Sequence, residues 1–191
     1  MSENYEEKFI KNTKSMEEDH LKKKHIVIVL GKHIDDETNK IMKLFLMALQ
    51  DIEIDGEQLK PVTLQSIKVE DTLKFETPRQ KAHSLFSGAH FVVIENMCPA
   101  GQIVELEYCR NVGVMTAIVC KKDCKQSSWM TLDFPIHSND IKVFFFDDLK
   151  LDNIRTTTND IFDWVKNRGK ERYDMFVDID KNNRKSEKFS F

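Results

Sequence analysis

A three-layer, doubly wound α/β sandwich with about five parallel strands is the fold that the sequence predicts. Three observations lead there. First, short apolar runs rich in β-branched and aromatic residues recur: "HIVIVLG" at 25–31, "FVVIE" at 91–95, "GVMTAIVC" at 113–120 and "IKVFFFDD" at 141–148. They lack the polar alternation of a half-exposed strand, and strands of a parallel sheet, buried on both faces, read this way. Second, segments of helical period separate these runs and supply the crossovers that parallel strands require. Third, the alternation continues from 25 to 168 with no internal repeat.

Each element follows in order. The strand at 25–31 closes on Gly31. A helix over 35–50 sets Ile41, Leu44, Phe45, Ala48 and Leu49 on one stripe, and Asp35 and Asp36 suit its amino end. A strand at 62–67 ("VTLQSI") leads through a polar stretch to a helix over 77–87, with Pro78 in its first turn. "FVVIE" precedes a helix over 101–111, and "GVMTAIVC" precedes a short helix at 127–132 ("SSWMTL"). The last strand, 141–148, is followed by a closing helix over 158–168 ("TNDIFDWVKNR"). The domain therefore spans 25–168, between a charge-dense extension at 1–24 and a polar tail at 169–191. The extension carries Phe9, Ile10, Met16 and Leu21 among its charges and reads either as an accessory helix or as a mobile arm.

Composition narrows the class. With 191 residues, 40% hydrophobic and 32% charged, the chain can bury a core of its own. A net charge of −3 gives no basic face for nucleic acid, and the basic pieces "LKKKH" and "KNNRKSEK" read as solvated flanks. No apolar run reaches the roughly 18 residues of a membrane span, and the opening residues are too acidic for a secretory signal. Cys98, Cys109, Cys120 and Cys124 match no zinc spacing, so no metal and no cofactor is expected. Reduced thiols without a signal point to a cytoplasmic protein.

Ligands of such sheets bind beyond the carboxyl ends of the strands, where the strand order reverses. Three loops compete for that place: "GKHIDD", opening on Gly31, then "ENMCPAGQ" and "KKDCKQSS". The second carries the most chemistry. Glu95 closes an apolar strand, Gly101 allows close approach of a ligand, and the amides after it begin a helix able to hold an anion. Glu105 and Glu107 stand two residues apart on that helix, so only one can face a cleft. The spacing leaves open which.

The ordered set "FVVIE", "PAG" and "VEL" resembles the nucleoside 2-deoxyribosyltransferase family, including relatives that hydrolyse 2′-deoxynucleoside 5′-monophosphates. The resemblance covers 25–148 and extends to "SSWM" at 127–130 and to the last strand. It implies a flavodoxin/Rossmann-like fold, with Glu105 as a nucleophile that attacks the anomeric carbon as in retaining glycoside hydrolysis. Glu95 is then the acid that protonates the leaving base, ahead of Asp35 and Asp36. Ser127 and Ser128, helped by Lys121, Lys122 or Lys125, would hold a 5′-phosphate, although serines there also read as a helix N-cap. The substrate implied is a nucleoside or nucleotide, and a homodimer or higher homo-oligomer is implied as well. Where the family often has an aspartate this chain has His90, which reads as a substitute acid or as a structural histidine. Two other readings stand beside it: a glycosidase cleaving NAD or another nucleotide, as in Toll/interleukin-receptor-like domains, and a noncatalytic nucleotide-binding or interaction module.

Overall fold

A computed structural model describes residues 26–31, 36–54, 56–63, 85–96, 102–122 and 138–187. In chain order the elements are β1 (Ile26–Leu30), α1 (Asp36–Gln50), β2 (Glu53–Ile54), β3 (Glu57–Gln58), β4 (Lys60–Val62), β5 (Phe91–Glu95), α2 (Gln102–Val112), β6 (Thr116–Lys121), β7 (Ile141–Phe146) and α3 (Leu151–Glu187). Five strands form one parallel sheet in the order β4-β1-β5-β6-β7. The register pairs Ile28 with Val62, Leu30 with Ile94, Glu95 with Val119 and Lys121 with Phe146. The expected fold class is what is found.

Alternation along the strands divides the core into two layers, one on each face of the sheet. Val27, Val29, Phe91, Val93, Ala117 and Val119 point to the face that α1 and α3 cover. Ile28, Leu30, Val92, Ile94, Ile118 and Cys120 point to the other, where α2 lays Leu106 and Cys109. The inner strands β1, β5 and β6 are buried along nearly their whole length because both sides are covered, whereas the edge strands expose Lys60 of β4 and Lys142 and Phe145 of β7.

Three elements differ from expectation. The strand placed at 62–67 is β4, Lys60–Val62, and 64–67 lie outside the described residues. Pro61 is tolerated within it because β4 is an edge strand, where a missing amide costs little. Ahead of β4, an antiparallel pair joins Glu53 to Gln58 and Ile54 to Glu57, with Gly56 at φ 82° in the turn. The Asp55-Gly56 dipeptide is the local signal for such a hairpin. Of the helix expected over 77–87, residues 85–87 are helical and 77–84 lie outside the described residues, as does the short helix expected at 127–132.

The closing helix is far longer than 158–168: α3 runs from Leu151 to Glu187. Its start is concealed in sequence by a run of β-branched threonines, whose hydroxyls the helix satisfies internally. Thr156, Thr157 and Thr158 each donate to the carbonyl four residues back, at Asp152, Asn153 and Ile154, over 2.7–3.1 Å. Its continuation past 168 rests on contacts distant in sequence. Arg168 Nε donates to Asp140 Oδ1 at 2.8 Å, and Arg172 Nη1 donates to the Gly113 carbonyl at 2.8 Å.

Candidate functional site

The chain leaves β1 for β4 on one side and then returns to place β5 on the other, so the strand order reverses between β1 and β5. The crevice of such sheets opens there, beyond Leu30–Gly31 and Glu95–Asn96. Gly31 is required by the packing at this point. A Cβ on it would lie 2.9 Å from Met42 Cγ and 3.3 Å from Glu95 Cβ, and it would overlap Met42 Sδ. Met42 is itself buried. Gly31→Ala is therefore expected to destabilise the protein by about 1–3 kcal/mol, as overpacking does, measured by urea denaturation. A loss below about 0.5 kcal/mol would show that Met42 swings away freely.

The two carboxylates singled out by the sequence are both at this end of the sheet, on opposite faces. Alternation from Val93 turns the Glu95 side chain to the α1 face, where its Cβ meets Gly31, and the residue is 1% exposed. Glu105 stands on α2, which covers the other face. The structure thus places both beside the carboxyl edge without setting them across one cleft.

Within α2, Leu106 and Cys109 are fully buried, which fixes the helix's rotation. Glu105 lies on the flank of that buried stripe and is half-buried, whereas Glu107 points outward to Arg110 at 3.7 Å. The inward-facing carboxylate is Glu105. Burial pushes its pKa above the ordinary glutamate value. Its position in the first helical turn works the other way, since the helix dipole favours the anion there; burial wins. One turn on, burial pushes the Cys109 thiol up to about 12, opposed by a hydrogen bond from Thr116 and reinforced by the charge of Glu105. That thiol is inert as a nucleophile near neutral pH.

Asn96, which sequence reasoning passed over, shares the α2 face with Glu105. It is 1% exposed, its Nδ2 donates to Cys120 Sγ at 3.6 Å, and its backbone N–H donates to the Val119 carbonyl at 3.0 Å. The signal was present in "VVIEN": if Glu95 ends the strand on one face, the next residue turns to the other.

His90 does not stand in for a carboxylate at this site. Its backbone N–H donates to the Ile26 carbonyl at 2.7 Å and its ring meets Phe91 edge-on at 6.0 Å. Both contacts lie at the amino end of β5, about 16 Å of strand from the crevice. Lys122 is paired with Asp147 at 2.6 Å. Gly101, Ser127 and Ser128, with Asp35, Lys125 and Trp129, lie outside the described residues.

A cavity of about 620 Å³ opens between α1 and the end of β4, lined by Asp36, Asn39, Lys40, Met42, Lys43 and Thr63. Its volume is within the range of small-ligand sites. Met42 is its link to the crevice, because the same side chain packs on Gly31. Asp36, Asn39, Lys40 and Lys43 recur at helical spacing on the polar side of α1, a pattern readable from sequence but not read as a cavity wall. Among the described residues, no cluster of His, Cys, Asp or Glu is arranged to hold a metal ion, and no helix is long and apolar enough to cross a membrane.

No protein-family model matches the chain, and no curated protein matches it.

Proposed function

We propose that the protein is an N-glycosidase or deoxyribosyl transferase acting on (deoxy)nucleosides or their 5′-monophosphates, with Glu105 as the nucleophile. The observation that carries this reading is the contrast between two glutamates on one helix. Both are half-buried, but Glu107 pairs with Arg110, while Glu105 flanks the stripe of Leu106 and Cys109 and has its pKa raised by burial. Burial that raises the pKa of a carboxylate is costly to the fold when the group is ionised, and chemistry is a reason to keep one there.

Glu105 attacks the anomeric carbon through an oxocarbenium-like transition state and forms a glycosyl ester, which water or an acceptor base then resolves. The partly desolvated carboxylate interacts strongly with the cationic sugar carbon because little water screens it. Glu95 is the acid for the departing base. It is 1% exposed on the opposite face, so this role requires its side chain to turn over the sheet edge at Gly31. Asn96, on the same face as Glu105, orients the sugar or the carboxylate through its buried amide.

One set of observations favours a second reading, that of a noncatalytic nucleotide-binding module. The two carboxylates are on opposite faces, and the separate cavity lined by Lys40 and Lys43, beside Asp36, offers cationic groups to an anionic ligand.

Chromatographic detection of free base separates the two. The protein is incubated with deoxynucleosides, their 5′-monophosphates, ribonucleotides and NAD. Release of base from a deoxynucleoside or deoxynucleotide is the expected result. Release from NAD alone would move the protein to a different glycosidase class. Silence across the panel, together with nucleotide binding by calorimetry, would establish the binding module instead.

A further inference from the structure

The cavity between α1 and the end of β4 takes no part in the reaction proposed above. It is walled by α1, whereas Glu105 stands on α2, which covers the other face of the sheet. Its walls differ in character. At about 100° per residue, Asp36, Lys40 and Lys43 fall within about 60° of one another on α1, and all three are exposed, so they form a charged rim. Asn39, Leu46 and Met42 lie further round the helix; the first two are half-buried and Met42 is buried, so they form the floor. Thr63, buried just past the last residue of β4, closes the far side. The cavity thus lies at the carboxyl end of an edge strand, the end at which sheets of this kind receive ligands. Its volume of about 620 Å³ is far more than a bare anion needs.

We propose that this cavity binds a phosphomonoester with a hydroxylated body, its phosphate held by Lys40 and Lys43. The two lysines stand three residues apart on one side of α1, with Cβ atoms about 5–6 Å from each other. Both ammonium groups can therefore meet a single phosphate. Among the described residues, neither is paired with a carboxylate. Like charges on adjacent turns repel, and a phosphomonoester, with a charge of about −1.5 to −2 at neutral pH, neutralises both. A carboxylate ligand would leave one of them uncompensated. Asp36 does not oppose this placement. It precedes Lys43 by seven residues, about 10 Å along the helix axis, and so meets the other end of the ligand, where its oxygens accept from hydroxyls. The amide of Asn39 adds a donor and an acceptor beside it. Met42 and Leu46 supply the apolar floor on which a ring rests. A sugar phosphate and a mononucleotide both carry this chemistry.

Calorimetric titration of the full chain with ribose 5-phosphate, adenosine 5′-monophosphate, adenosine and inorganic phosphate tests this. A phosphomonoester is expected to bind, and adenosine, which lacks the charge, to bind at least about tenfold more weakly. Equal affinity for the two phosphomonoesters identifies a sugar phosphate as the ligand, and preference for the nucleotide identifies a nucleotide. Lys40→Gln/Lys43→Gln is expected to lower the affinity at least about tenfold, and Lys40→Arg/Lys43→Arg to restore most of it. Both positions are exposed, so neither variant disturbs the core. Lys121→Gln/Lys122→Gln, at the carboxyl end of β6, is the comparison and is expected to bind as the unaltered chain does. Affinity unchanged in Lys40→Gln/Lys43→Gln overturns the proposal. So does affinity lost only in the Lys121 and Lys122 variant, because the phosphate would then belong to the crevice. No binding of either phosphomonoester at millimolar concentration overturns it, as does inorganic phosphate binding as tightly as both, since no body would then be recognised. Base release and its dependence on Glu105 are measured separately, and neither result decides the other.

Discussion

Glu105→Gln is expected to lower base release by at least about a thousandfold while the fold is retained, the scale on which loss of a nucleophile is felt. The amide keeps the size and shape of the side chain but cannot form the glycosyl ester. Glu107→Gln is the matched control, since that side chain lies at the surface beside Arg110. A variant at Glu105 that retained more than about a tenth of the activity would remove the carboxylate from the chemistry, on the same scale.

The pH dependence distinguishes a nucleophile from an acid. Burial raises the pKa of Glu105. As a nucleophile it must be ionised, so kcat/KM is expected to fall as pH drops through that raised value, in a window above the ordinary glutamate pKa of about 4.3. Were it the proton donor, activity would instead fall as pH rises through the same window. Stability moves against activity here. A pKa raised in the folded state means that the fold prefers the protonated group. Its contribution is therefore fully present below the unfolded pKa and is lost as pH rises through the folded one. Glu105→Gln removes the cost of the buried charge, so the inactive variant is expected to melt slightly higher at neutral pH, by up to about 2 °C.

Much of the frame was legible because it depends on local pattern. β1, β5 and β7 are short apolar runs, and α1 displays its stripe, so their places could be read directly. The site was legible in part. Which glutamate of α2 turns inward could not be decided from a stripe as sparse as Leu106 and Cys109; packing of those two side chains against the sheet decided it. The face of Glu95 was decidable from alternation, and with it the candidacy of Asn96. The length of α3 was hidden for a different reason. Its anchors, Asp140 for Arg168 and Gly113 for Arg172, are 28 and 59 residues away in sequence, and no local pattern announces such partners.

Phe146→Ala is expected to have the largest effect on stability, a loss of about 3–5 kcal/mol, as for other fully buried aromatic rings. Phe146 ends β7, is 1% exposed and meets Phe45 of α1 edge-on, with ring centroids 6.0 Å apart and planes at 73°. It therefore ties one edge strand to the helix that packs over β4, β1 and β5. Phe144, two residues earlier, is 8% exposed and packs on Trp164 of α3, so truncating it should cost less. In a chain of this size the expected loss corresponds to a fall of about 6–20 °C in melting temperature. A double-mutant cycle with Phe45→Ala should return a coupling of about 0.5–1.5 kcal/mol, the value of an edge-to-face pair beyond its buried area. Coupling near zero would mean that α1 is held by its aliphatic contacts alone. The pair also bears on the site. Phe45 follows Met42 by less than one turn of α1, and Met42 is the side chain that fills the space over Gly31. Phe146→Leu, milder than the alanine variant, should therefore lower base release more than Ile141→Val at equal cost in stability, because only the former loosens the helix that closes the crevice.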